Sequence, residues 1–552
     1  MGFVCHKEKG LNNQYIFLAA FTFTINFIWD RVILINAVIF SFMLNAVGRE
    51  VPEEIAGRKY KPYNGPFSFK PTGRRYAPPL KAVFPDETKL LPSLKEAIKK
   101  VGLEDGMTIS FHHHLRNGDY VVNMVVDTIA KMGIKDIKLA PTALFPVHEK
   151  LIEHIKNGVI TSIEGSLNGP IGEYVSRHGM KEPVVLRSHG GRARAVRSGE
   201  LHVDVAFIAA SIADEYGNCN GMLGKSAFGA MGFAYADAMH ADNVVVVTDN
   251  LQPYPVTPIS IPQIYVDYVV EVDAIGDPSG IQTGTMQITR SPARLNIAKN
   301  VVKFLAAAGA IKDGFSFQAG AGGISLAVTK FLHEYMKKHG IVGDFVMGGI
   351  TGFVVDMLHD GTIRKILDGQ SFDLRAVESI AKDDDHVEVS HIMFGDPHTC
   401  GCVVNRQHAC FLGATEVDLN FNVNVNTHSD GLLLHGIGGH QDAAAGSDIT
   451  IITVPLLRGR VPVIREEVTT VSTPGDTVDV VVTDRGIAVN PRREDLIEAV
   501  KGKMEIVDIE ELYKKAISLV GKPKEPRFDD EIVALIEYRD GTLLDVVRRL
   551  KE

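Results

Sequence analysis

Residues 315–336 of the sequence read FSFQAGAGGISLAVTKFLHEYM, and this stretch indicates the fold most directly. A short apolar strand, Phe315–Phe317, leads into the glycine-rich turn Gly320–Gly323. Apolar residues then recur at the i, i+3, i+4, i+7 spacing of an amphipathic helix, which Gly340 ends. A strand, a glycine turn and a helix in this order are typical of an α/β sheet protein.

The first half of the chain shows the same alternation of strands and helices. It predicts a helix over Tyr120–Met132, and strands over Gly106–Phe111, Asp136–Ala140, Val203–Ile208 and Asn243–Thr248. The apolar runs are uninterrupted, as expected for a parallel sheet that is covered on both faces. The sequence therefore predicts an α/β fold, with a second α/β unit that starts near Leu295.

Three further segments carry local patterns. Asp214–Asn218 predicts an Asx-type turn with left-handed residues at its end. Between Val417 and Val425, apolar residues alternate with Asp and Asn, which predicts one half-buried strand with a row of amides on its other face. Residues 532–552 predict a short strand, a turn at Asp540-Gly541 and a helix.

The composition is that of an ordinary globular protein, with 45% apolar and 23% charged residues. A length of 552 residues favours two or three domains, and a net charge of −9 argues against general nucleic-acid binding. The odd count of 5 cysteines argues against a secreted disulfide framework and for a reducing compartment. Cys400 and Cys402 leave two interpretations open, a redox or metal pair and plain buried thiols.

The N-terminal residues 1–44 differ from the rest of the chain. They contain the apolar runs Tyr15–Trp29 and Val32–Leu44, which two charged residues separate. Each run is shorter than the ~18–20 residues that span a bilayer. A membrane anchor and a translated upstream segment are both open, and we favour the second. Residues 49–93, rich in Pro, Gly and basic residues, predict an extended arm.

Two glycine-rich turns are candidate ligand sites, since each follows a predicted strand and precedes a predicted helix. Unpaired backbone N–H groups and the helix dipole there favour a phosphate or the oxyanion of a reacting carbonyl. Neither turn has a Walker A ending or full G-x-G-x-x-G spacing, and plain tight turns are the alternative. The candidate residues are Gly320, Gly322 and Gly323 in the first turn, and Gly436, Gly438 and Gly439 in the second.

Two basic, glycine-containing segments, residues 111–119 and 188–194, are candidate anion-binding turns. Guanidinium groups grip carboxylates in a bidentate way, and histidine is a tunable donor. Solvated turns are the alternative, and we expect no metal site, because consecutive histidines rarely converge on one ion. The candidate residues are His112, His113, His114 and Arg116 in the first segment, and Arg192 and Arg194 in the second.

Several long motifs, in the correct order, resemble the alpha subunit of citrate lyase. They are residues 45–50, 111–119, 188–194, 202–218, 318–325 and 416–442. The resemblance runs from Asn45 to the C-terminus and leaves out residues 1–42. It implies two similar open-sheet α/β domains of the CoA-transferase-like type, which we expect at 45–294, with the extended arm, and at 295–552.

The resemblance implies a transferase that replaces acetate by citrate on the thiol of an acyl carrier protein, the gamma subunit, whose prosthetic arm derives from CoA. A separate beta subunit then cleaves the citryl thioester. The family acts in the bacterial cytoplasm as a hetero-oligomer, and this chain would bind no cofactor itself. In this role the glycine turns would stabilise oxyanions, and the basic candidates together with Gln318 would hold citrate.

Related CoA-transferases that form a covalent intermediate carry a glutamate nucleophile in a stretch of the form HTEMFSDGVVD. The similar stretch here, Val346–Asp356, has Gly348 in the place of that glutamate. Because glycine cannot act as a nucleophile, we expect citrate itself to attack the acetyl thioester in a ternary complex, through a transient acetyl–citryl anhydride.

Two other functions stay open at this point. A CoA-transferase for another small carboxylate, such as citramalate, would keep both glycine turns and change the basic segments. A non-catalytic scaffold would only dock the carrier and the lyase subunit.

Overall fold

The computed structural model describes residues 41–66, 68, 87–282, 287–320 and 322–551. The apolar runs before Ser41, residues 69–86 of the predicted arm and Ala321 of the first glycine turn lie outside the described residues. The described part of the arm contains the short strands Glu50–Pro52, Glu54–Ile55 and Arg58–Lys59. Among the described residues, no helix is both long enough and apolar enough to cross a membrane.

A seven-stranded parallel sheet organises the first half of the chain. Its strand order is Leu90–Leu91, Tyr268–Glu271, Asn243–Thr248, Val205–Ala210, Thr108–Phe111, Ile137–Pro141 and Ile160–Ile163. The central strands are buried along almost their whole length, which explains their uninterrupted apolar sequences. The helices of this half are Leu94–Lys100, Val121–Lys131, Leu151–Lys156, Pro170–His178, His189–Ser198 and Ala234–His240.

An eight-stranded sheet organises the second half. Its strand order is His386–Glu388, Ile363–Ser371, Gly343–Ile350, Phe317–Ala319, Ala409–Leu412, Ile449–Thr453, Val480–Val482 and Ile487–Val489. All neighbouring strands are parallel except the last pair. The helices are Pro292–Ala307, Gly323–His339, Gly352–His359, Leu374–Ile380, His391–Gly395, His440–Gly446, Glu494–Val500 and Ile509–Val520.

The two sheets repeat one topology. If the short edge strands are left out, the first strand of each half in chain order lies at the centre of its sheet. The next two strands lie on one side of it, and the following three lie on the other side. The central strands Thr108–Phe111 and Phe317–Ala319 are therefore equivalent, and so are the turns that follow them. The basic turn at His112–His114 and the glycine turn at Gly320 thus occupy matching positions in the repeat.

A small hairpin follows the strand Val205–Ala210 in the first half and the strand Ala409–Leu412 in the second. The second hairpin corrects the prediction of a single strand over Val417–Val425. Glu416–Val417 pairs with Val423–Asn424, and an Asx turn lies between them. Asp418 Oδ1 accepts hydrogen bonds at 2.9 Å from the backbone N–H groups of Asn420 and Asn422. Local side-chain hydrogen bonds therefore prevail over the alternating pattern.

The predicted Asx turn at Asp214 has the same geometry in the first half. Asp214 Oδ1 accepts from the backbone N–H of Asn218 at 3.1 Å, and the side chain of Asn218 donates to Asp214 Oδ2 at 2.8 Å. Gly217 has a φ of +99°, as predicted, whereas Asn218, also predicted to be left-handed, has no positive φ.

The C-terminal residues form a hairpin, and the predicted final helix is wrong. Phe528–Glu537 pairs antiparallel with Leu543–Leu550 and parallel with Val184–Leu186, and Gly541 turns between them. Strand pairing with the first half prevails over local helix preference. Residues of the hairpin that belong to the hydrophobic core of the first half are Val533, Ala534, Ile536, Tyr538, Leu544 and Val547.

A buried carboxylate fastens this hairpin to the first half. Glu537, which is 1% exposed, accepts hydrogen bonds from Arg187 Nε at 2.7 Å and from Arg194 Nη2 at 3.0 Å. Burial alone would raise the pKa of Glu537, but the two guanidinium groups hold it below its ordinary value. Both arginines are buried as well, so their positive charges need this carboxylate for compensation.

We predict that Glu537→Gln lowers the free energy of unfolding by about 3–5 kcal/mol, because it leaves buried guanidinium charge uncompensated. Urea denaturation at pH 7 measures this. The control is Glu531→Gln on the same strand, whose surface pair with Arg549 is worth at most ~1 kcal/mol.

The folded-state pKa of Glu537 is depressed, so its contribution is present above the unfolded-state pKa of ~4.3 and is lost as the pH falls through the folded-state pKa. Equal losses of unfolding free energy in Glu537→Gln and Glu531→Gln at pH 7 would contradict the prediction.

Candidate functional site

The candidate site lies where the carboxyl ends of strands from both sheets meet. His113 follows the central strand of the first sheet, and Gln318 lies in the central strand of the second. A hydrogen bond of 3.0 Å from Gln370 Nε2 to the backbone carbonyl of His113 joins the two halves here. This edge is where open α/β sheets bind their ligands.

Gly348 is closely packed against Gln318. Its φ is +101°, which favours glycine, and a Cβ there would lie 3.0–3.1 Å from three side-chain atoms of Gln318. A Cβ on Gly349 would overlap the ring of Phe372, 2.0 Å away. The strand Gly343–Ile350 is irregular between these two glycines. The amide of Gln318 therefore occupies the space that a side chain at position 348 would need.

Gln318 itself is buried with unused hydrogen-bonding capacity. Its side chain is 8% exposed, and its Oε1 has no hydrogen-bond partner among the described residues. A buried polar atom without a partner is costly, so such atoms are candidates for ligand contact. The sequence-based prediction of Gln318 as a substrate contact stays a prediction.

The second glycine turn lies against both Gln318 and His189. The N–H of His189 donates to the carbonyl of Gly438 at 2.9 Å, and a Cβ on Gly438 would lie 3.8 Å from His189 Nε2. A Cβ on Gly439 would lie 3.7 Å from Gln318 Nε2 and 3.0 Å from the ring of Phe394. Gly438 and Gly439 therefore border the site with bare main chain.

The other glycine candidates differ in their surroundings. A Cβ on Gly436 would overlap the hydroxyl of Ser166 at 1.8 Å, so Gly436 serves close packing. The N–H of Gly320 already donates to a backbone carbonyl at 3.1 Å. Gly322 is exposed, with open space where a Cβ would lie, and Gly323 is the first residue of the following helix. A Cβ on Gly323 would lie 2.8 Å from the backbone carbonyl oxygen of Gln287, so Gly322 is the exposed candidate of the first turn.

Three histidines pack with Phe233 beside the second turn. The ring centroids of His113 and His189 are 5.6 Å apart, those of His189 and His391 are 5.2 Å apart, and Phe233 stacks on His391 at 3.7 Å. Burial lowers the pKa of His113 and His391 well below the ordinary value, and lowers the pKa of His189 to about 3. All three rings are therefore neutral near pH 7 and act as hydrogen-bonding groups.

The segment 188–194 begins a helix, which corrects its prediction as a basic turn. The hydroxyl of Ser188 caps the helix His189–Ser198 by accepting a hydrogen bond from Gly191 N at 3.0 Å. His189 and His391 are not among the site residues predicted from the sequence. The serine N-cap after a strand signals the position of His189, whereas no local pattern marks His391.

Three of the predicted anion-binding residues are held inside the first half. His112 hydrogen-bonds to Asp237, and Arg192 Nη1 donates to the same carboxylate at 2.9 Å. His114 stacks on Phe228 with ring centroids 4.9 Å apart. All three side chains are at least nine-tenths buried, and their role as substrate contacts stays a prediction.

The two remaining basic candidates, Arg194 and Arg116, differ in burial. Arg194 is fully buried and pairs with Glu537, so it too serves the fold. Arg116 is half-buried, with its guanidinium carbon 5.6 Å from the ring of Phe145 and 4.9 Å from that of Phe372. Burial lowers the pKa of Arg116 to about 10, which leaves it charged at pH 7. Arg116 remains a candidate anion contact.

The repeated α/β halves, with a glycine turn and buried neutral donors at the sheet edge, define a CoA-transferase-like fold. The chain belongs to the family of citrate lyase alpha subunits, because the family described as "Citrate lyase, alpha subunit (CitF)" matches residues 87–550. Members of this family are the citrate CoA-transferase subunit, so the protein is a transferase.

Characterised relatives agree with this assignment. The citrate lyase alpha chain of Haemophilus influenzae is 48% identical over 468 residues, which cover 84% of this chain and 94% of that protein. The alpha chain of Klebsiella pneumoniae is also 48% identical, over 467 residues that cover 84% and 92%.

Solved structures support the same fold. The alpha subunit of citrate lyase from Streptococcus mutans, determined in complex with citrate, is 50% identical, with a TM-score of 0.89 and coverage of 92% of this chain and 100% of that chain. The malonate decarboxylase alpha subunit from Acinetobacter baumannii, 14% identical with a TM-score of 0.59, covers 79% and 91% and shares the fold.

We predict that Gly438→Ala lowers kcat for citrate CoA-transfer tenfold or more. The residue has a φ of +65°, which costs an L residue about 1–2 kcal/mol, and relieving that strain would move the main chain beside His189. The matched control is Gly459→Ala, which has a φ of +64° on a surface turn with no atom within 4 Å of the new Cβ. Steady-state kinetics of both variants measure this, and similar rates would contradict it.

Proposed function

We propose that this protein moves the thiol of an acyl carrier from acetyl thioester to citrate, giving citryl thioester and acetate. The observation that carries the proposal is the contact between Gly348 and Gln318, which places an amide where a side chain of residue 348 would lie. Residue 348 therefore supplies no nucleophile, and we infer that the attacking oxygen comes from citrate, with both substrates bound at once. The 50% identity to a subunit solved in complex with citrate supports the choice of acceptor.

The chemistry follows from the ionisation of citrate, whose carboxylates need no general base at neutral pH. A citrate oxygen attacks the acetyl carbonyl, and the tetrahedral intermediate collapses to an acetyl–citryl anhydride and the carrier thiolate. The thiolate attacks the citryl carbonyl, the bond from that carbon to the bridging oxygen breaks, and acetate leaves. Each tetrahedral intermediate carries an oxyanion, and water must be excluded from the anhydride.

We assign the stabilisation of the oxyanion to the main chain at Gly438 and Gly439, with Gln318 beside it. The expected substrate contacts also include the neutral rings of His113 and His189. A protonated imidazole with the low pKa of these buried rings would lose its proton to the released thiolate. A neutral ring can donate a hydrogen bond without that loss. Arg116 keeps its charge and is the proposed partner of one citrate carboxylate.

The family relation supports the remaining assignments. We propose that the donor is an acetylated carrier protein, the gamma subunit, with a CoA-derived arm, and that a beta subunit cleaves the citryl product. The reactive thiol then belongs to the partner, and this chain holds no cofactor of its own. The proposed assembly of the three kinds of subunit is a hetero-oligomer in the cytoplasm. In the experiments, free CoA takes the place of the carrier.

We predict that the protein forms no covalent adduct with CoA when it is incubated with acetyl-CoA alone, because no side chain is present at position 348 to accept it. Intact-mass spectrometry of the mixture, before and after borohydride treatment, measures this. The positive control is the same mixture with citrate, in which citryl-CoA and acetate should appear. A species heavier by one CoA, bound at any carboxyl group of the protein, would contradict the ternary mechanism.

A further inference from the structure

Three short helices border the site, and each carries or adjoins one of its groups. The helix His189–Ser198 carries His189 at its first position, and the helix His391–Gly395 carries His391 at its first position. The helix His440–Gly446 begins directly after Gly439. The positions of these helices relative to one another therefore set the shape of the site.

A buried carboxylate connects two of the three helices. Asp442, which is fully buried, lies in the helix that follows Gly439. Its Oδ1 accepts a hydrogen bond from Ser188 Oγ at 3.0 Å, and its Oδ2 accepts one from the N–H of Gly190 at 2.8 Å. These bonds hold the start of the His189 helix against the helix after the second glycine turn.

Arg539, from the turn of the C-terminal hairpin, connects the third helix to the same carboxylate. Its Nε lies 3.2 Å from Asp442 Oδ1, and its Nη2 donates to the carbonyl of Gly395 at 2.5 Å. Arg539 is 4% exposed, so this ion pair is shielded from water. The planar guanidinium reaches both partners at once, which a single ammonium group cannot do.

Three glycines show how tightly the elements meet at this pair. A Cβ on Gly190 would lie 2.2 Å from the carbonyl oxygen of Gly395, and a Cβ on Gly191 would lie 3.1 Å from the Cα of Arg539. A Cβ on Gly395 would lie 2.9 Å from the Cβ of Asp442. The backbones are in direct contact, so the ion pair and the glycines together fix the spacing of the helices.

We propose that Asp442 and Arg539 are positioning residues for the transfer reaction, a role that rests on the function proposed above. They act through His189, His391 and the Gly438–Gly439 main chain. The carboxylate of Asp442 accepts two hydrogen bonds and forms an ion pair with Arg539, so it is not an available nucleophile. Misplacement of reacting groups by about 1 Å can cost roughly 10²-fold in rate, so a pair that fixes helix spacing affects catalysis directly.

The test uses the full chain with acetyl-CoA and citrate, and it measures two products, citryl-CoA and acetyl-CoA hydrolysed by water. For Arg539→Lys and Asp442→Asn, the ratio of transfer to hydrolysis should fall tenfold or more, because misaligned citrate competes less well with water. The value of kcat should fall 10–100-fold, while KM for acetyl-CoA changes less than threefold. Hydrolysis measured without protein is subtracted first. Unfolded protein catalyses neither reaction, so a purely structural loss leaves the corrected ratio unchanged.

The matched control is Glu537→Gln, which disrupts another buried ion pair two residues before Arg539. It should destabilise the protein and leave the product ratio at the wild-type value. Gly191→Ala is a second, milder change that keeps both charges and places a Cβ 3.1 Å from the Cα of Arg539. It should also lower the ratio of transfer to hydrolysis. If Asp442→Asn does not fold, Gly191→Ala still tests the proposal.

The outcomes separate the two proposals. If the wild-type protein makes citryl-CoA and the Arg539 and Gly191 variants keep its product ratio, the positioning role is overturned and the proposed function stands. If the wild-type protein makes no citryl-CoA from acetyl-CoA and citrate, the proposed function fails, and the positioning role fails with it.

Discussion

Gln318 packs closely against Gly348, and the two residues lie in neighbouring parallel strands of the second sheet. The left-handed φ of Gly348 also favours glycine at that position, and a Cβ on the neighbouring Gly349 would overlap the ring of Phe372. Residue 348 therefore offers no nucleophile, and the amide of Gln318 lies where its side chain would be. In the function proposed above, the attacking oxygen comes from the substrate, and the protein contributes binding, orientation and hydrogen bonds.

The electrostatics of the site follow from burial. His113, His189 and His391 are neutral because their surroundings disfavour the protonated form, and much of the positive charge nearby is committed to the fold. Arg192 is paired with Asp237, while a buried ion pair from the C-terminal hairpin holds the helices in place. A site built this way can hold a polyanion without delivering a proton to a thiolate, which suits a transfer between two thioesters.

The sequence predicts the sheets well because their strands are buried on both faces and the central glycine-to-helix turn has a clear pattern. It fails where a local or distant hydrogen bond overrides that pattern, as at the Asx turn of Asp418 and in the final strand, which pairs with Val184–Leu186. The glycine turns could be selected from the sequence, because glycines after strands are recognisable, whereas Gln318 entered only through the family resemblance. His391 could not, because its approach to His189, about two hundred residues earlier, depends on how the two halves pack.

The source of the attacking oxygen can be observed directly in a single turnover, with protein in excess over citrate labelled with ¹⁸O in its carboxylates. If citrate attacks the acetyl thioester, the bridging oxygen of the anhydride leaves with acetate, so the acetate formed should carry one ¹⁸O atom. If a carboxyl group of the protein attacks first, the acetate of the first turnover contains only ¹⁶O and the label appears in the protein, which would contradict the account.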